Sequence, residues 1–129
     1  MAALGAITIV GLSIHAGWTL LINDMCSNTI QSQSYSPDHA LKVIVFTRDC
    51  GATTGFSTQV SILGGANSLP NDAGNVFVTN DGCAGAHWSG NRKVTVVYDH
   101  HAQVFTHKKN ITVPYFPLWQ SVEIEYTPY

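Results

Sequence analysis

The chain reads as a mainly β protein, with one N-terminal transmembrane helix followed by a small antiparallel β-sandwich or open barrel of six to seven strands. Three observations predict this. The first charged side chain among the 129 residues is Asp24, so residues 1–23 form an uncharged, largely apolar stretch. Downstream, short runs that alternate apolar and polar residues are separated by Gly, Pro, Asn and Asp, the pattern of half-buried strands and their turns. Hydrophobic residues make up 45% of the chain and charged ones 11%, a balance that favours a packed domain over disorder.

The leader, MAALGAITIVGLSIHAGWTLLIND, is long enough to span a bilayer, because about 20 helical residues rising 1.5 Å each cross a hydrocarbon core of about 30 Å. No Lys or Arg precedes Arg48, so the basic start of a cleaved signal is missing. Asn23, Asp24 and Met25 precede Cys26, where a lipoprotein signal would carry small residues. A retained span over 1–23 is therefore expected, with a cleaved or lipidated signal and a buried helix of a soluble fold as the alternatives. Gly5, Gly11 and Gly17 recur every six residues instead of every four, so the G-x-x-x-G pairing motif is absent.

His15 falls near the middle of that span, where an ionisable group is costly and needs a neighbour. The segment from Gly11 to His15 resembles the small-x-x-x-His pattern by which single-span light-harvesting polypeptides ligate bacteriochlorophyll magnesium. That resemblance makes His15 a candidate cofactor-binding residue, with Trp18 close to the pigment. A neutral His15 hydrogen-bonded to an adjacent helix is the plainer alternative.

Residues 30–35 and 41–48 form the first expected hairpin, turning through Ser36-Pro37-Asp38-His39. Cys26 lies twelve residues before Asp38 and Cys50 twelve after it, so a symmetric hairpin sets the two cysteines opposite each other, within bonding reach. A disulfide requires an oxidising compartment, which puts residues 24–129 in the periplasm and the N-terminus in the cytoplasm. Cys83, in the glycine-rich run Gly82-Cys83-Ala84-Gly85, is left unpaired or displaces Cys26 as the partner of Cys50, and three unrelated buried thiols are the alternative to any bridge.

Further strands are expected over 56–62, 76–79, 94–98, 103–107 and 121–126. The strands over 94–98 and 103–107 would form a hairpin around Asp99-His100-His101. Segments 66–75 and 80–91 read as loops, and 113–117 as a proline-rich corner.

Few residues point to chemistry. There is no G-x-S-x-G elbow or other local signature that activates a nucleophile, so no catalytic residues and no enzymatic activity are expected. His100, His101 and His107 are the metal-ligand types closest in sequence. However, adjacent histidines in a turn are expected to point apart, and no third ligand is evident, so no metal site is expected. A net charge of −2 without a basic stripe gives nucleic-acid binding no electrostatic support. All 14 charged side chains (6 basic, 8 acidic) lie beyond residue 23, which is still sparse for a periplasmic domain and fits a surface partly covered by headgroups or a partner. Trp18, Tyr115, Phe116 and Trp119 are the candidate partner-binding or headgroup residues, with burial in the core as the alternative.

The run Arg48-Asp49-Cys50-Gly51-Ala52-Thr53-Thr54-Gly55-Phe56-Ser57-Thr58-Gln59-Val60-Ser61-Ile62, together with Ser36-Pro37-Asp38 and Gly74-Asn75-Val76-Phe77-Val78, resembles an uncharacterised bacterial family of small exported proteins, a domain of unknown function with an N-terminal hydrophobic segment. The resemblance covers about residues 26–126. It implies export without supplying an activity, and its Cys-x-Asn element is similar to Cys26-Ser27-Asn28. The aromatic corner at 115–119 and a shortened loop at 80–87 depart from the family pattern.

Together these features lead to the expectation of a non-enzymatic accessory subunit. Its single helix would sit among integral membrane proteins of a larger complex, a pigment-binding photosynthetic one included, while the β domain caps the periplasmic face. An independent anchored module that binds an unknown ligand is the alternative, followed by an unrecognised enzyme.

Overall fold

A computed structural model describes residues 25–51, 55–80, 82–115 and 118–129. The expected span over 1–23, with His15 and Trp18, lies outside the described residues, as does Phe116. Among the described residues no helix is long and apolar enough to cross a membrane.

The chain forms nine strands: β1 (Ser27–Tyr35), β2 (Leu41–Asp49), β3 (Phe56–Gly64), β4 (Phe77–Thr79), β5 (Ala84–Gly90), β6 (Lys93–Tyr98), β7 (Val104–His107), β8 (Asn110–Tyr115) and β9 (Leu118–Pro128). Sheet A has the order β1-β2-β3-β4-β7 and sheet B the order β5-β6-β9-β8. The mainly β expectation holds, while the strand count and pairing differ from it. β5 falls within the expected loop at 80–91, and β8 runs into the expected proline-rich corner at 113–117. β6 and β9 pair in parallel, so sheet B is mixed. β6 and β7 form no hairpin, because the turn at 99–103 carries the chain from sheet B to sheet A, where β7 pairs with β4.

Strand alternation builds the core. Leu41, Val43 and Val45 of β2 and Val60 and Ile62 of β3 face Val94 and Val96 of β6 and Val122 and Ile124 of β9, with Val76 and Phe77 closing one side. Each is at most 3% exposed, and burying such a side chain contributes about 1.5–3 kcal/mol relative to leaving it in water.

The other face of sheet A is also covered. Ile44 and Phe46 point away from Val43 and Val45, yet both are fully buried. They stand opposite Ser61 and Gln59 in the β2–β3 ladder, and those two polar residues hold the segment 65–76 across this face. The Gly74 N–H donates to Gln59 Oε1 (2.7 Å) and the Asn75 N–H to Ser61 Oγ (3.1 Å). Asn75 also brackets the Ile62 peptide, accepting its N–H and donating to its carbonyl, both at 2.9 Å. A Cβ on Gly74 would sit 2.7 Å from the Val60 carbonyl oxygen, so only glycine lets the segment approach so closely.

Candidate functional site

The two ends of the sandwich carry different chemistry, and β2 is the ruler between them. From Leu41 to Cys50 it rises about 3.3 Å per residue, a separation of roughly 30 Å.

At one end Cys26 and Cys50 are disulfide-bonded. A β-bulge brings them together. Near the turn Tyr35 pairs with Lys42 and Ser32 with Val45, but beyond Gln31 the offset changes by one, so that Ile30 pairs with Phe46 and Ser27 with Asp49. The extra residue at Gln31 sets Cys26 opposite Cys50; without it Cys26 would face Gly51. The remaining polar residues of the R-D-C-G region brace the same end. Arg48 donates from Nη1 to Asn28 Oδ1 (2.8 Å) and Asn71 Oδ1 (3.0 Å). Asn28 Nδ2 donates to the Pro70 and Asp72 carbonyls, and Asn71 Nδ2 to the Cys26 carbonyl. Arg48, Asn28, Gln59, Ser61, Gly74 and Asn75 therefore all seat the 65–76 segment. The described residues of the motif that is most distinctive in the sequence, Arg48, Gln59 and Ser61 among them, brace the fold.

The turn that follows β6 lies at this end too, because Asn80 accepts from the Thr58 N–H and donates its own N–H to Gln103. The turn holds Asp99, His100 and His101. Their ligand-type atoms all lie within 4.8 Å of one another, and the two imidazole centroids are 3.8 Å apart. The expectation that adjacent histidines diverge is not met. Asp99 completes the group, a role the sequence left unassigned because its acceptance of the His101 N–H (2.9 Å) depends on the turn geometry. His107 is elsewhere, stacked on Tyr126 with centroids 3.6 Å apart.

Tyr126 marks the middle of the molecule. Its hydroxyl donates to the Lys108 carbonyl at 2.5 Å and also lies 3.3 Å from the Val76 carbonyl, and its ring meets Phe77 and Tyr98. Burial pushes the phenol pKa up to about 12. Beside it runs a shallow groove of about 600 Å³ where β9 continues past the start of β8, lined by His107, Lys109 and Tyr126 among others.

The opposite end is aromatic. In the β8–β9 hairpin Pro114 pairs with Trp119 and Tyr115 with Leu118. Trp119 is 70% exposed, Leu118 65% and Tyr115 44%. This hairpin tip sits beside the 36–40 turn, since the Pro114 carbonyl lies against Gly64, the ladder partner of Leu41. Arg92 ties the same region together, pairing with Asp38 (3.0 Å) and donating to Gln120 (2.8 Å). Tyr115 and Leu118 stand opposite each other and share one face of the hairpin, while Trp119, paired with Pro114, lies on its other face; all are far from Cys26, where the chain enters the β domain. Leu118, which the sequence did not single out, is the exposed partner that the hairpin places opposite Tyr115.

Among the described residues no buried side-chain nitrogen or oxygen lacks a hydrogen-bond partner, so no orphaned polar group marks an interior ligand site. No family model matches the chain, and no curated protein or solved structure matches it.

Proposed function

We propose that the protein is a non-enzymatic accessory subunit, tethered through its N-terminal apolar segment, whose β domain holds a partner protein at the aromatic hairpin tip. The observation that carries this is the exposure of Tyr115, Leu118 and Trp119 together, at the end of the sandwich away from the point where the chain arrives from residues 1–24. Clustered exposed aromatics are the composition of interface anchors, and isolated surface residues would not gather at one tip. If residues 1–23 span the bilayer, the Cys26–Cys50 end lies against the headgroups and the aromatic tip projects away from them. That orientation favours a protein contact over lipid at Trp119. The disulfide fits a periplasmic location.

Purification of the full chain in mild detergent tests the proposal. Integral membrane subunits should co-migrate in stoichiometric amount with the wild type, and Trp119→Ala should release them while leaving the β fold intact. A clean monomer would instead support an independent anchored module, and turnover abolished by one His or Asp replacement would support an enzyme.

A further inference from the structure

We propose that Asp99, His100 and His101 form a surface site for a borderline divalent transition cation of the zinc or copper class, at the disulfide end of the domain. Two imidazoles and one carboxylate are the donor set that such ions select, and hard cations such as calcium and magnesium would require more oxygen ligands than the turn offers. The donors already converge within 4.8 Å. A tetrahedral zinc with bonds of about 2.0–2.1 Å places its donors about 3.4 Å apart, so modest side-chain rotation closes the set around an ion and leaves a position open to water.

Two features outside the donor set favour binding. His100 Nδ1 contacts the Tyr129 carbonyl. An imidazole whose Nδ1–H donates to that oxygen keeps its Nε2 lone pair for a metal, the arrangement found in most metal-ligating histidines. The backbone is also fixed from both sides. The Asp99 N–H donates to the Cys83 carbonyl (3.1 Å), the His100 N–H to the Tyr129 carbonyl (2.9 Å), and the Tyr129 N–H to the Tyr98 carbonyl (2.9 Å). The turn is thus anchored to the residue before β5 and to the residue after β9, so little ordering entropy remains to be lost on binding.

Calorimetric titration of the metal-free full chain in detergent with Zn²⁺ alone, and separately with Cu²⁺ alone, tests this. One equivalent should bind. His100→Asn and His101→Asn should each weaken binding at least tenfold, while His107→Asn leaves it unchanged. In the unmodified protein, Zn²⁺ should also protect His100 and His101, but not His39, from acylation by diethyl pyrocarbonate, a readout that does not depend on any variant folding. Absence of protection, binding no tighter than millimolar, or equal weakening by His107→Asn would overturn the proposal.

Discussion

The disulfide end and the aromatic end are built from the same kind of ladder but held in opposite ways. At the disulfide end a covalent bond, the Arg48–Asn28–Asn71 network and the strapped 65–76 segment fix the backbone, although Met25 and Phe56 (each 63% exposed), Phe105 (61%) and Tyr129 (59%) also stand in solvent there. At the aromatic end a part-exposed Asp38–Arg92–Gln120 chain, the Asp38 N–H on Asn91 Oδ1 and the Trp88 indole N–H on the Ser34 carbonyl tie the sheets, and the hairpin beyond them leaves Tyr115, Leu118 and Trp119 in solvent. The covalent and side-chain bracing is concentrated where the chain enters the domain, and the exposed hairpin of Tyr115, Leu118 and Trp119 lies farthest from that point. Under the proposed tethering, load from the N-terminal segment would meet the fastened end and leave the other end open to a partner.

The largest expected effect comes from breaking the fastened end. Cys50→Ala should cost about 3 kcal/mol under oxidising conditions, since a closed loop with a sequence separation of 24 is released. Thermal unfolding followed by circular dichroism checks this, and equal stability of wild type and variant would remove the disulfide from the comparison. Arg48→Ala should cost about 1–2 kcal/mol, because two charge-assisted hydrogen bonds are lost and the 65–76 segment loosens. Faster proteolytic cleavage within 65–76 should accompany the loss seen in urea unfolding.

Between the ends, Tyr126→Phe should cost about 1 kcal/mol, because the Lys108 carbonyl loses its donor. The same residue predicts a pH dependence. Its folded pKa, about 12, is raised above the ordinary 10.0, so the stability it contributes is complete below pH 10 and is lost as pH rises towards 12. A near-ultraviolet titration should find one tyrosine ionising late in the folded protein, and Tyr126→Phe should flatten alkaline unfolding over that window. The smallest effect belongs to the aromatic end. The Ser36 hydroxyl, the Ala40 N–H and Arg92 hold the Asp38 carboxyl below its ordinary 3.8, so its contribution is present above about pH 4 and lost on further acidification. Asp38→Asn should shift acid unfolding slightly and only there; a loss as large as that of Arg48→Ala would erase the contrast between the ends.

The sequence exposed those parts of the fold that depend on local order. The β1–β2 hairpin, the alternation in β3 and β9 and the pairing of Cys26 with Cys50 were legible from turn chemistry and spacing, although the pairing is completed by a bulge at Gln31 that spacing alone did not reveal. β5 escaped because Ala84, Gly85, Ala86 and Gly90 give it almost no apolar alternation; it is held by pairing with β6. β8 escaped because Pro114 argues against a strand, and it is tolerated here because β8 is an edge strand. The parallel β6–β9 pairing and the transfer of β7 to the other sheet are non-local, and no short-range pattern encodes them. At the candidate sites, Tyr115 and Trp119 were legible as aromatics, but their position opposite the disulfide end was not. The convergence of Asp99 with His100 and His101 depended on a turn conformation that residue types do not specify.

The contrast between the ends is tested most directly by photo-crosslinking from single positions in membranes that contain the full chain, with a photoreactive residue placed at Phe56 or at Trp119. The account predicts lipid adducts from position 56 and an adduct with one defined protein from position 119. Lipid adducts from position 119, or the same protein adduct from both positions, would contradict it.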